Sequence, residues 1–415
     1  MAKGAVGLVA GYYPEDVYRY LAIPGLSVDE GVVVRPARRH AERPALSDGA
    51  ETLTFQDLAR DMERCSAILR TALADGATRL ALLVPGQLQL ARLLLGGLRA
   101  RCLTLLLDPE LAPAELARHL DSFQPDLLVA GAGTEAELAQ AGQGRWRVVS
   151  ADDLLSQEAG QPAAPARVDL KARAVGLVGP SGRLVYHSHA TLMGWAVSWS
   201  AFLPLTEEDV FSSLEPLCRW GGLLTALATL FRGGRCVLSQ PRSAAALAEL
   251  IHESCARYLL LPFSSASELA RASSLALRQE LSRNVRGVFT TLERPFPVKE
   301  RRRIESAFDA PVLTLLGNAA AGPALAAHPS WYLDESVGIP VTNVDAWPLY
   351  PGTGQPLAVP WEAIDYGELG VRSPMLAADY QTAEDRAEWV QDGWLRMRVT
   401  ALMDPSGLFY LRPWR

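Results

Sequence analysis

The feature that most constrains this chain is a change of hydrophobic period that repeats at close spacing. Leu80 to Val84 is a continuous apolar run that stops at Pro85-Gly86, as a buried strand would. Leu88 to Leu98 has helical spacing. Leu103 to Leu107 reads as a strand ending at Asp108-Pro109, Ala112 to Phe123 as a helix, and Leu127 to Val129 as a strand. Strands that are apolar on both faces must be covered on both faces. Helical crossovers of this length join strands that run in parallel. The chain is thereby committed to an α/β fold of helix-flanked, largely parallel sheets.

The pattern extends in both directions. Leu53 to Ala74 carries helical spacing through Leu58, Met62, Ile68 and Leu69. After a loop-rich stretch from Gly131 to Lys171, with one short strand at Trp146 to Val149, a second α/β region runs from Arg173 to about Leu316. Its strand-like runs are Ala174–Val178, Arg235–Leu238, Tyr258–Leu261, Val288–Thr291 and Val312–Leu315. Ala244 to Arg257 and Pro297 to Phe308 read as helices among them. From Ala326 helical spacing fades and Pro, Gly, Trp and Tyr rise, which predicts a small β-rich unit. The expected organisation is an N-terminal appendage (1–27), an α/β core (28–325) in two subdomains with a break near 131–172, and a β-rich subdomain (326–415).

Composition excludes several functions. The net charge of −6 disfavours nucleic acid as a partner, because no basic excess displaces phosphate counterions. Five scattered cysteines without a CxxC pair predict reduced thiols in the cytoplasm, with no disulfide frame or zinc site. The apolar stretch Ala5 to Ala10 is too short to span a membrane, and Glu15 and Asp16 follow it. Of the 40 Lys plus Arg, only Lys3, Lys171 and Lys299 are lysines. Any chemistry that needs an ammonium group must draw on those three positions.

These landmarks, in this order, resemble the large N-terminal domain of the adenylate-forming superfamily: acyl-CoA synthetases, peptide-synthetase adenylation domains and luciferases. The resemblance covers about Val28 to Arg415. It rests on RPALSDGAETLTFQDLARDMERCSAIL, LRARCLTLLLDPELAPAELARHLDSFQPDLLVA, LVYHSHATL and PLTEEDVFSSLEPLCRWGGLLTALATLFRGGRCVL. The closing motifs SVGIPV, GELGVRSP and DGWLRMRVTALMDPSGLFYLRPWR complete it. It implies two helix-flanked layered sheets with a small C-terminal β-rich subdomain.

The departures from the family pattern all fall on ATP handling. The family's Gly/Ser/Thr-rich phosphate loop ends in Pro-Lys-Gly. Here the region reads Val178-Gly179-Pro180-Ser181-Gly182-Arg183, about three residues shorter; Pro180 removes a donor and Arg183 stands near the lysine's place. The family's Tyr-Gly-x-Thr-Glu supplies an adenine-stacking ring, a phosphate hydroxyl and a Mg²⁺ ligand. The matching residues are Leu316-Gly317-Asn318-Ala319-Ala320, and the Ala320 side chain offers no oxygen. The family's ribose-binding Asp is matched by Val399, within Met397-Arg398-Val399, while Asp404 matches a later turn residue. Arg415 lies close to the Arg that contacts ribose. The family's lysine-bearing C-terminal lid domain has no counterpart in the sequence. The resemblance therefore implies a vestigial nucleotide cleft at Gly182, Arg183, Gly317, Asn318 and Arg415, with no catalytic residues or metal ligands to carry over.

The acyl pocket of the family lies beside Arg219, Trp220, Gly221 and Gly222, the substrate-binding candidates. Arg219 either clamps an anionic ligand bidentately or pairs with a nearby carboxylate such as Glu215, with Trp220 as core. In His187-Ser188-His189, a helix cap competes with a nucleophile–base reading, and adjacent side chains on a strand point to opposite faces. Cys218 reads as a small buried hydrophobe near the pocket. Arg301-Arg302-Arg303 reads as a solvated helix face or a surface for an acidic carrier protein. The functional expectation is a non-adenylating homologue acting in an acyl- or aminoacyl-carrier pathway. It needs no cofactor, and its partner is an acyl or peptidyl carrier protein or another pathway enzyme, in a homo- or hetero-oligomer. Two alternatives stay open. One is an AMP-forming acid ligase, using ATP and Mg²⁺, whose lid is a separate polypeptide. The other is an ATP-independent enzyme acting on an acyl-thioester or acyl-adenylate made elsewhere.

Overall fold

A computed structural model of the chain describes residues 13–73, 76–142, 145–158, 167–239, 241, 243–272, 284–291, 297–358 and 366–412. The apolar runs form two large sheets. In the seven-stranded sheet the order is Asp379–Tyr380, Leu184–Ser188, Arg173–Val178, Leu103–Leu106, Arg79–Leu83, Leu127–Ala130 and Val148–Ser150. Its interior is parallel: Leu82 stands beside Leu106 on one side and Val129 on the other. Arg173–Val178 and Leu184–Ser188 close its far side as an antiparallel hairpin.

The nine-stranded sheet runs Ile339–Pro340, Gly322–Ala326, Val312–Asn318, Gly287–Thr291, Tyr258–Leu260, Val210–Ser213, Arg235–Leu238, Pro44–Ser47 and Thr52–Thr54. The change of texture at Ala326 thus marks the last strands of this sheet. The separate antiparallel unit begins at Asp345. It is built on the long strand Trp394–Met403, which pairs with Gly367–Arg372, Val390–Gln391 and Phe409–Arg412; Asp345–Leu349 lies on the outer side of Gly367–Arg372.

Four helices fill the space between the large sheets: Phe55–Ala72, Gln87–Ala100, His189–Phe202 and Trp220–Phe231. The last two are apolar around their whole circumference, which marks them as central; Trp195, Trp199 and Phe202 are fully buried. The stretch from Gly131 to Lys171, read as loop with one strand, also contains the short helices Glu135–Gly142 and Ala151–Ser156. The second is opened by Ser150, whose Oγ accepts from the amides of Asp152 and Asp153. A helix of six to eight residues gives too few turns for its period to emerge from sequence.

The described part of the N-terminal segment is tied to the body. Leu21 N donates to Asn343 Oδ1 at 2.8 Å, Arg19 Nη2 pairs with Asp345 at 3.0 Å, and Thr342 Oγ1 donates to Tyr18 O at 2.8 Å. Arg301 corrects the reading of its triplet as a solvated face. It is fully buried, donates from Nη1 to Asp334 O at 2.7 Å, pairs with Glu305 at 3.2 Å and stacks over Tyr332. Arg302 and Arg303 remain exposed and pair with Asp334 and Glu300.

Candidate functional site

The C-terminal ends of strands from both sheets converge on one cavity of about 1080 Å³. Asp108 follows Leu103–Leu106, and Gly179 and Pro180 follow Arg173–Val178. Glu215 follows Val210–Ser213, Pro262 and Phe263 follow Tyr258–Leu260, and Thr291, Gly317 and Asn318 sit on strand ends. Loops beyond the carboxyl ends of open α/β sheets are the usual place for a ligand.

Arg219 and Trp220 stand on one wall, at the start of the central helix. Arg219 does not pair with Glu215. It reaches across the mouth, with Nε at 2.7 Å from Asp108 Oδ2 and Nη2 at 3.2 Å from Glu110 Oε2. Partial burial is the largest single influence and disfavours the guanidinium charge, but the bond to Asp108 and the charges of the neighbouring acidic groups together outweigh it, so its pKa lies above the usual arginine value. Glu215 is buried and accepts from Thr291 Oγ1 at 2.5 Å. Cys218 lines the wall as a thiol that burial pushes up to about 12, which makes it unreactive. Gly221 and Gly222 lie behind the wall. A Cβ on Gly221 would overlap the Glu215 carboxylate, and one on Gly222 would overlap the backbone of Glu215 and Pro216. They are packing positions, outside the cavity lining.

The nucleotide candidates divide similarly. Gly317 and Asn318 line the cavity. Gly317 leaves room for the Trp220 ring, which a Cβ would meet at 2.7 Å. Asn318 Oδ1 is occupied by the amides of Ala320 (2.9 Å) and Ala321 (2.8 Å), so it caps an apolar turn. The loop at 179–183 is a tight hairpin closed on itself. Gly179 N donates to Arg183 O at 2.7 Å and Gly182 N to Gly179 O at 2.9 Å, with Gly182 at φ +70°. Leu184 N donates to Gln381 Oε1. Gly182 and Arg183 turn away from the cavity, and Arg183 pairs with the buried Asp385. Arg415 lies outside the described residues.

These groups do not fit a nucleotide triphosphate with its Mg²⁺. The Gly179 and Gly182 amides, which would help cradle phosphate, are used within the loop, and Pro180 has none. Ala320 is buried and offers no ligand. The Val399 side chain has no acceptor, and Asp404 is engaged in its own turn with Ser406, Leu408 and Tyr410.

Ser188 of the His-Ser-His triplet is a helix cap. Its Oγ accepts from Thr191 N at 3.2 Å, while Thr191 Oγ1 accepts from Ser188 N. His187 is fully buried and bonds Ala319 O at 2.6 Å; His189 Nδ1 accepts from Val28 N. Sequence reasoning missed Asp108, Glu215, Thr291 and Phe263 as site residues. The available signal for Asp108, Thr291 and Phe263 was their place at or just beyond the end of strand-like runs; no strand-like run is read in the sequence before Glu215.

Two helix-flanked sheets sharing a cleft, with an antiparallel unit appended, define the large N-terminal domain of the adenylate-forming architecture. The chain belongs to the family of AMP-binding enzymes, whose model matches residues 33–175 and 183–381. The break between the matched stretches falls on the closed hairpin. A stretch of 128 residues is 30% identical to syringomycin synthase SyrB1 of Pseudomonas syringae pv. syringae; it spans 31% of this chain and a fifth (20%) of that protein. A benzoate CoA ligase from Burkholderia xenovorans superposes with a TM-score of 0.82 at 18% identity, over 93% of this chain and 79% of that one. The o-succinylbenzoate coenzyme A synthetase of Bacillus subtilis gives 0.81 at 20%, over 92% and 78%. A luciferase-like enzyme from the mealworm Zophobas morio gives 0.83 at 15%, over 95% and 98%. At such identities the likeness is one of fold.

Proposed function

We propose that this member of the AMP-binding family does not form an adenylate by itself and uses its cleft as a binding or repurposed acyl pocket in an acyl- or aminoacyl-carrier pathway. The observation that carries this reading is the hairpin at 179–183, whose Gly179 and Gly182 amides are bonded within the loop. Opening it toward phosphates would break two backbone hydrogen bonds and the Arg183–Asp385 pair, without gaining a lysine or a metal ligand. A phosphate in that place would lack donors to stabilise the charge that develops on the α-phosphate as a carboxylate attacks it and pyrophosphate leaves. The apolar turn at Ala319–Ala321 supports the same reading. The partial likeness to syringomycin synthase SyrB1 supports a place in a biosynthetic pathway.

The test is calorimetric titration of the full chain with ATP, with and without Mg²⁺, beside a pyrophosphate-exchange assay over a panel of carboxylic and amino acids. The expected result is no saturable heat and no acid-dependent exchange. Saturable Mg-ATP binding together with acid-dependent exchange by the chain alone would overturn the proposal.

A further inference from the structure

A second cavity, of about 440 Å³, shares no lining residue with the cleft. It lies between the helical segments Glu30–Val34 and Arg35–His40 and the turn that ends the central helix Trp220–Phe231. Arg35 and Arg39 line it from the helix Arg35–His40. Four residues apart, they lie on one face, where like charges repel and cost the helix stability. Neither has a carboxylate partner among the described residues, whereas Arg38, between them, pairs with Glu30 at 3.6 Å. A third guanidinium, Arg232, enters from the opposite side and is anchored by its Nε to Leu205 O at 2.7 Å. One carboxylate, Glu207, joins the lining; its neighbour Glu208 is paired with Arg43 at 2.8 Å.

Arg35, Arg39 and Arg232 are exposed, so the cavity is an open hollow, and it is shaped as well as charged. Gly233 stands at φ +81°, and a Cβ there would come within 2.7 Å of the His40 ring. His40 can therefore seat against the turn only because that position is glycine. Buried Pro36 and half-buried Phe231 give the cavity an apolar side. Its volume is in the range of small-molecule sites. Guanidinium forks suit the oxygens of a phosphate, which they bind in pairs. On a chain of net charge −6, three guanidiniums gathered against one carboxylate form a local exception.

We propose that this cavity is a binding site for a phosphate monoester carrying a compact apolar or aromatic group. The phosphate lies between Arg35, Arg39 and Arg232, and the apolar body rests against Phe231 and Pro36. The site is separate from the cleft and does not depend on the cleft's function.

The test is calorimetric titration of the full chain with phenyl phosphate, inorganic phosphate and benzamide. Phenyl phosphate should bind saturably and more tightly than inorganic phosphate, benzamide should give no saturable heat, and added NaCl should weaken binding. Arg35→Gln combined with Arg39→Gln should weaken phenyl phosphate at least about tenfold, a loss of about 1.4 kcal/mol. Arg219→Gln, in the cleft, should leave it unchanged. Circular dichroism matching the parent would show that the variants fold. No saturable heat at roughly millimolar phenyl phosphate, an affinity indifferent to the double substitution, or a loss on Arg219→Gln would each overturn the proposal.

Discussion

His187 shows how one side chain's surroundings decide its chemistry. Ala319 O can only accept, so Nε2 carries the proton, and Nδ1 faces the Thr191 hydroxyl at 3.3 Å. The Trp195 ring packs edge-on with its centroid at 4.6 Å. Burial pulls the pKa down to about 4, and the bond to Ala319 O only partly opposes it. The unfolded chain binds a proton near pH 6.5, which the folded chain refuses until about pH 4. The neutral ring therefore contributes stability that is complete above pH 6.5 and lost as pH falls through that window, up to roughly 3 kcal/mol. Urea unfolding of the parent and of His187→Asn at pH 7 and pH 5 checks this. The parent should lose more stability on acidification than the variant, and equal losses would refute it. At this scale the sequence was legible where a local pattern decides the outcome, as at the Ser188 cap. It was not legible for Arg219, whose carboxylates Asp108 and Glu110 lie more than a hundred residues away.

Among elements, legibility followed contrast. The strands Arg79–Leu83, Leu103–Leu106 and Leu127–Ala130 could be read because polar turns and amphipathic helices bracket them. The helix His189–Phe202 gives no period, since it is apolar on every side, and a sequence without contrast carries no face to read. Packing between helices was also hidden. Phe55–Ala72 and Gln87–Ala100 cross so closely at Gly96 that a Cβ there would meet Cys65 Cβ at 2.5 Å and the Cys65 and Ser66 backbone at 3.0 and 3.1 Å. Backbone atoms cannot swing aside like a flexible side chain. Gly96→Ala should therefore destabilise the fold by about 1–3 kcal/mol, despite alanine's better helix propensity. Chemical denaturation gives the sign; a neutral or stabilising result would show that the crossing relaxes.

At the scale of the whole molecule, the cleft is a meeting of strand ends from two sheets, and no local stretch of sequence contains it. The order of motifs indicated the fold because each motif is a run of elements adjacent in sequence, but the wall residues come from strands on both sides of the cleft. Arg219 is the side chain that joins those sides at the mouth. It starts the central helix and reaches Asp108 and Glu110 at the end of a strand in the other sheet. Leu217 N, donating to Gln87 Oε1 at 2.8 Å, ties the same two sides deeper down. Half-exposed ion pairs add little to global stability, so Arg219→Met should leave the unfolding midpoint nearly unchanged. Their effect should appear locally, because mouth segments open at lower free energy than the core. Amide exchange should quicken within 106–111 and 214–220 while the buried strands Arg79–Leu83 and Tyr258–Leu260 keep their protection. If exchange in the mouth segments matches the parent, the deeper Gln87–Leu217 link suffices and Arg219 does not hold the mouth. If the core strands lose protection as well, the two sheets depend on this contact for more than the shape of the cleft.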